Sequence, residues 1–136
     1  MNIHWGRIVL AGVLAEIVPL VIYNIVVRPH LGSSLARLAF VGFASFVFMV
    51  VGALWVARKI ETRFVLHGTL VGVVAVVVYV LVTLPLVVRR QYPMNYWVAA
   101  FIGHPPKILG GAAGGFLAGR LSAKKVIVQK AAKSAM

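Results

Sequence analysis

Apolar residues run along this chain in four long blocks, over 8–27, 38–57, 64–88 and 96–119, separated by short polar breaks. Each block is about the ~20 residues needed to cross a hydrocarbon core ~30 Å thick. Cations mark the breaks: Arg7 and Arg28 bracket the first block, Arg58-Lys59 close the second and Arg89-Arg90 close the third. The third block is rich in Val, which favours strands in water. In lipid a lone strand leaves its backbone groups unpaired, so a helix is predicted. The first block follows a basic residue, as a signal peptide does. It is too long for an h-region and no small-x-small cleavage site follows, so it reads as a retained helix. The predicted fold class is all-α, a four-transmembrane-helix bundle over 1–120 with a basic tail over 121–136.

The fourth block is interrupted by His104, Pro105, Pro106 and Lys107. Two readings compete. One is a kinked spanning helix over 96–119. The other is an interfacial segment followed by a helix opening at Pro106, which leaves roughly 20 Å of helix at 1.5 Å per residue, short of a span. Length favours the kinked span. Tyr96 and Trp97 have the character of an interfacial aromatic anchor, with Tyr92 beside them, and Trp5 and Trp55 would mark the opposite interface.

Composition agrees with the pattern. Hydrophobic residues make up 62% of 136 residues and mean hydropathy is +0.99. A soluble domain of this size could not bury that much apolar surface. There are 14 Lys and Arg against 2 Asp and Glu. These cations punctuate apolar runs and fill the tail rather than interleaving with aromatics on a polar face, so they argue for basic flanks beside an anionic inner leaflet and against nucleic acid. Nine cations fall on the side of Arg7, Arg58, Arg63 and the tail lysines, and four on the side of Arg28, Arg37 and Arg89-Arg90. The positive-inside rule then puts both termini in the cytoplasm of a cell with a bacterial-type inner membrane.

The strongest motif is Lys107-Ile-Leu-Gly-Gly-Ala-Ala-Gly-Gly-Phe-Leu-Ala-Gly-Arg120. Gly111, Gly115 and Gly119 recur every four residues, as do Gly110, Gly114 and Ala118, so each set lies on one helical face. Such a glycine zipper lets backbones approach closely, a main source of helix attraction in lipid. It serves either another chain or packing within this one, and a bundle of this size favours the latter. Milder small and polar faces occur in the second block (Gly42, Ser45, Met49, Gly52) and the third (Gly68, Gly72, Tyr79, Thr83).

Catalytic signals are missing. Glu16 and Glu61 are the sole carboxylates, there is no cysteine, and no nucleophile elbow or Walker loop occurs. The histidines His4, His30, His67 and His104 lack metal-ligand spacing and read as interfacial. No metal, cofactor or enzymatic activity is expected. Glu16 stands out, because a charge near the middle of a span costs about 2.5–3.5 kcal/mol on insertion scales. Gly12, Pro19 and Tyr23 share its face. Lys107 is the other ionisable group placed deep in the membrane. Counting at 1.5 Å per residue sets Glu16 about 12 Å and Lys107 about 18 Å from the cytoplasmic side. A Lys stem spans the difference, so the two are expected to pair, with Tyr23 completing an intramembrane polar site.

Two resemblances follow from these residues. Leu14-Ala15-Glu16-Ile17 in a first helix resembles the small multidrug resistance transporters, four-helix antiporters with a membrane-embedded Glu there. That implies a proton-coupled transporter acting as a dimer with Glu16 as carrier. The overall layout, with Lys107-Ile-Leu-Gly-Gly and a second Gly-Gly, looks like small four-helix bacterial membrane proteins of uncharacterised role, which implies a fold and no activity. The expectation carried forward is a non-enzymatic accessory or assembly subunit, partnered by a second copy or a larger membrane protein. The proton-coupled transporter is the alternative.

Overall fold

The computed structural model describes residues 4–30, 33–60, 62–89 and 96–134. These form four helices, and no strand occurs among the described residues. The first, α1, begins as α-helix (Trp5–Ile22), passes through a π-helical turn (Tyr23–Val27) and ends in a short α-helical turn (Arg28–His30). Then come α2 (Ser34–Ala57), α3 (Phe64–Val88) and α4 (Tyr96–Ser134).

Local chemistry sets these limits. Ser33 has extended backbone angles and its hydroxyl accepts from the Ala36 N–H at 3.1 Å, so α2 starts at a serine cap rather than at the first aliphatic residue. Arg63 precedes α3 at φ 56°, a left-handed conformation unusual for a side chain with a Cβ. Pro19 lacks the N–H that would bond the Ala15 carbonyl, and the π-helical turn follows one turn later. There the Asn24 side chain donates to the Leu20 carbonyl at 2.8 Å.

Residues 96–105 are already helical, so α4 runs through both prolines, as the favoured reading had it, and does not open at Pro106. It also continues past Gly119 to Ser134, where a tail was expected. The residues beyond Arg120 are mostly Ala, Lys, Leu and Gln, good helix formers with no Gly or Pro to stop them. The aromatic anchor proposed at Tyr92, Tyr96 and Trp97 lies outside the described residues and side chains.

Among the described residues, three helices are long and apolar enough to cross a membrane: Trp5–His30, Leu35–Ala57 and Phe64–Pro85, with mean hydropathies of 2.2, 2.3 and 2.5. Their windows are only 22–33% buried, so most of each surface faces outward, as in a lipid solvent. The helices alternate up and down. Substantial packing joins α4 to α2 and α3, α1 to α2 and α3, and α2 to α3. Thus α1 and α4 lie on opposite sides of the α2–α3 pair.

The glycines explain how α4 fits there. A Cβ on Gly110 would lie 2.5 Å from the Phe46 carbonyl oxygen, and one on Gly114 would lie 2.6 Å from that of Val50, both on α2. On the other face, a Cβ on Gly111 would strike the Gly68 carbonyl and one on Gly115 the Phe64 carbonyl, both on α3. The two glycine sets of the sequence therefore serve two neighbours within one chain. Gly119 marks the end of the pattern, since a Cβ there meets only the Phe64 ring at 3.4 Å. Small-residue contact here means backbone against backbone, where a methyl cannot be absorbed by side-chain movement.

This gives a contrast between two glycines. Gly111→Ala should lower stability in mixed micelles by about 1–3 kcal/mol, the usual cost of overpacking. Gly42→Ala has nothing within 4 Å and should be neutral or mildly stabilising. Gly115→Leu should likewise be far worse than Ala113→Leu. Equal unfolding midpoints for Gly111→Ala and Gly42→Ala would remove backbone contact as the basis of α4 packing.

Candidate functional site

Glu16 lies about two-thirds of the way along the α-helical part of α1, on the face that also buries Gly12 and Pro19. Lys107 lies in α4 just after the paired prolines. The two meet across the bundle: Lys107 Nζ donates to Glu16 Oε1 at 2.7 Å, and each residue is 3% exposed. The pair expected from depth counting is therefore formed, between two helices that do not pack extensively on one another. The side chains, not the backbones, span the gap.

Backbone proximity aims Lys107. A Cβ on Gly72 would lie 2.6 Å from the Lys107 carbonyl oxygen, so α3 presses on α4 at this residue. From there the Lys107 stem passes Tyr79, also on α3, with its ammonium 4.2 Å from the ring centroid. That cation–π contact adds a second favourable field to a desolvated charge. Tyr79 in turn meets the His104 ring edge-on, at 5.1 Å between centroids and 79° between planes. Glu16, Lys107, Tyr79 and His104 thus form a continuous polar and aromatic line through the bundle interior.

The carboxylate is half used. Glu16 Oε2 is buried and has no hydrogen-bond partner. Beside the pair lies a cavity of about 30 Å³ whose walls include Glu16, Tyr23, Ser45, Tyr79 and Lys107. Tyr23 is half-buried at the start of the π-helical turn, so it lines the site as expected but makes no bond to Glu16.

Ser45, Tyr79 and His104 were not linked to the site in the sequence. Ser45 and Tyr79 were visible as members of small polar faces on α2 and α3, which was the available signal. His104 was read as interfacial; it is half-buried and its ring meets Tyr79 edge-on. His67 is interior, 5% exposed, with Nδ1 2.9 Å from the Arg63 carbonyl. Gly110, Gly111, Gly114, Gly115 and Gly119 pack α4 and contribute no chemistry. No group of three His, Cys, Asp or Glu residues able to hold a metal occurs among the described residues.

What can this arrangement do? A paired carboxylate with one free oxygen can fix helix register, hold a proton or accept hydrogen bonds from a small molecule. Comparisons with family models, with characterised proteins and with solved structures each return no match. The site must therefore be read from its own geometry.

Removing one member of a buried pair leaves the other charged and unpaired, at about 3–5 kcal/mol. Glu16→Lys and Lys107→Glu should each destabilise the bundle on that scale, and the double swap should recover much of the loss. Additive losses in the double variant, read from unfolding in lipid or micelles, would mean the two residues are not partners.

Proposed function

We propose that this chain is a small non-enzymatic membrane protein with four spans, α4 being the fourth, resident in a bacterial-type inner membrane with both termini cytoplasmic. In this reading it is an accessory or assembly subunit. It offers apolar helix surfaces to a larger membrane protein or to a second copy of itself. The observation that carries the reading is the division between interior and exterior. The ion pair and the glycine faces are engaged within the chain, so they serve folding. Outward, α1 presents Leu10, Leu14, Ile17 and Val21, spaced to share one face and each 44–50% exposed. A partner helix would meet that kind of surface rather than the glycines of α4.

Charge supports the orientation. Arg7, Arg58, Lys59, Arg63 and Arg120 gather at the end of the bundle where α4 continues outward with Lys124 and Lys133. Cations gathered at one end favour the cytoplasmic leaflet, where anionic lipids attract them.

A second reading has one specific observation in its favour. Glu16 has an unpartnered oxygen and a cavity beside it, and its sequence context resembles that of the small multidrug resistance transporters. A proton-coupled transporter, dimeric and using Glu16, follows from that. The bond to Lys107 weighs against it, since the carboxylate is already engaged within the chain.

Native mass spectrometry from lipid nanodiscs separates these from a solitary protein. The accessory reading expects added mass from a partner or a second copy. A chain that is monomeric and alone under the mildest extraction would contradict it. In liposomes, proton-linked flux of cationic compounds that vanishes in Glu16→Gln would establish the transporter instead. For orientation, Ser134→Cys should resist labelling from outside intact cells, and efficient labelling there would invert the topology.

A further inference from the structure

The last part of α4 is not needed to close the bundle. Packing ends at Gly119, beside the Phe64 ring. Arg120 turns its guanidinium back onto Phe116, 4.7 Å from the ring centroid. The helix nevertheless runs on to Ser134. Leu121, Val126 and Ile127 are 57%, 52% and 68% exposed, so no described part of the chain covers them.

The extension leads away from the membrane. Sharp kinks arise at Pro, at Gly or Ser pairs, or at π-bulges. The sequence after Gly119 has no Gly or Pro, and the segment is α-helical throughout. It therefore keeps the axis of α4 instead of bending down along the bilayer. At 1.5 Å per residue, Lys124 stands about 6 Å and Lys133 about 20 Å beyond Arg120. The attraction of anionic lipid fades within a Debye length of about 8 Å, so Lys133 lies outside it.

The order of residues around the helix also argues against lipid. Successive residues are about 100° apart, so Leu121, Val126 and Ile127 fall on three separate sides. Lys124 and Lys133 are both exposed and, nine residues apart, fall on opposite sides. A helix lying in a bilayer surface needs one apolar and one charged face, and this segment has neither. Residues 120–136 carry five cations and no carboxylate, so no internal ion pair offsets the repulsion among them. Beyond Arg120 there is no aromatic residue to stack on bases and no Arg to read them, which disfavours nucleic acid.

We propose that the α4 extension, residues 121–134, is a docking helix for an acidic protein partner outside the bilayer, which takes it into a groove with carboxylates on both walls. Lysines on opposite sides require two walls, whereas a flat surface meets one. Leu121, Val126 and Ile127 supply the apolar contacts that fix its seating. This deepens the accessory reading, on which it rests, by naming the chemistry of the partner.

Two experiments on the full chain test it. The chain has no cysteine, so a nitroxide on Ile127→Cys reports alone. In phosphatidylglycerol nanodiscs it should collide mainly with a water-soluble nickel chelate, while a label on Leu109→Cys collides mainly with oxygen dissolved in lipid. An Ile127 label as oxygen-dominated as Leu109 places the helix in the bilayer and overturns the proposal. In the native cells, photoreactive p-benzoylphenylalanine at Ile127 should join to a protein segment rich in Asp and Glu. Lys124→Glu with Lys133→Glu should lower that adduct at least about tenfold, and Lys124→Arg with Lys133→Arg should retain it. No adduct, adducts to lipid or nucleic acid alone, or a protein adduct indifferent to charge reversal overturns the docking helix. A partner that native mass spectrometry still finds on the charge-reversed chain keeps the accessory reading and removes this helix as its seat.

Discussion

A carboxylate and an ammonium bonded at 2.7 Å, both withdrawn from solvent in an apolar bundle, constrain this molecule more than any other contact. In hydrocarbon neither charge can be left alone, and both must face inward to find the other. That requirement fixes which face of α1 and which face of α4 point to the interior. Because α1 and α4 lie on opposite sides of the α2–α3 pair, it also fixes the register of all four helices. Apolar packing in lipid lacks the hydrophobic drive that would choose one register in water, so a single directional bond carries unusual weight.

The glycines make that bond geometrically attainable. Gly72 admits the Lys107 backbone against α3, and Gly68, Gly111 and Gly115 continue the close approach toward the far end of the seam. Past Lys107 in the opposite direction, larger residues such as Tyr23, Phe40 and Tyr79 hold the helices apart and leave the cavity. A tightly closed end and a looser end meet at the ion pair. The asymmetry follows from where small residues occur, since backbone contact needs Gly at successive turns and aromatic rings prevent it.

Much of this was legible in the sequence. Block length and the cation breaks gave four helices, because the hydrocarbon thickness sets a length that few other constraints imitate. Depth counting paired Glu16 with Lys107, because only two ionisable groups lay deep enough to require partners. The glycine period identified a packing face, but not that its two halves would serve α2 and α3 separately, since a face has no partner until the topology is known. The extent of α4 was not legible from the apolar block, which ends at Gly119, whereas the helix formers beyond it carry the helix on to Ser134. Ser45 and Tyr79 looked like ordinary packing residues, and only the crossing of three helices brings them to Glu16.

The central claim is that Glu16 and Lys107 are bonded as an ion pair within the bilayer. The direct measurement is dipolar recoupling between the Glu16 carboxyl carbon and the Lys107 ammonium nitrogen in lipid bilayers, with Lys107→Met to assign the nitrogen. A strong coupling, matching an N···O contact of 2.7 Å, and an ionised carboxyl shift are the expected result. No coupling, with Glu16 carrying a carboxylic-acid shift and the Lys107 nitrogen exchanging freely with bulk water, would contradict the account.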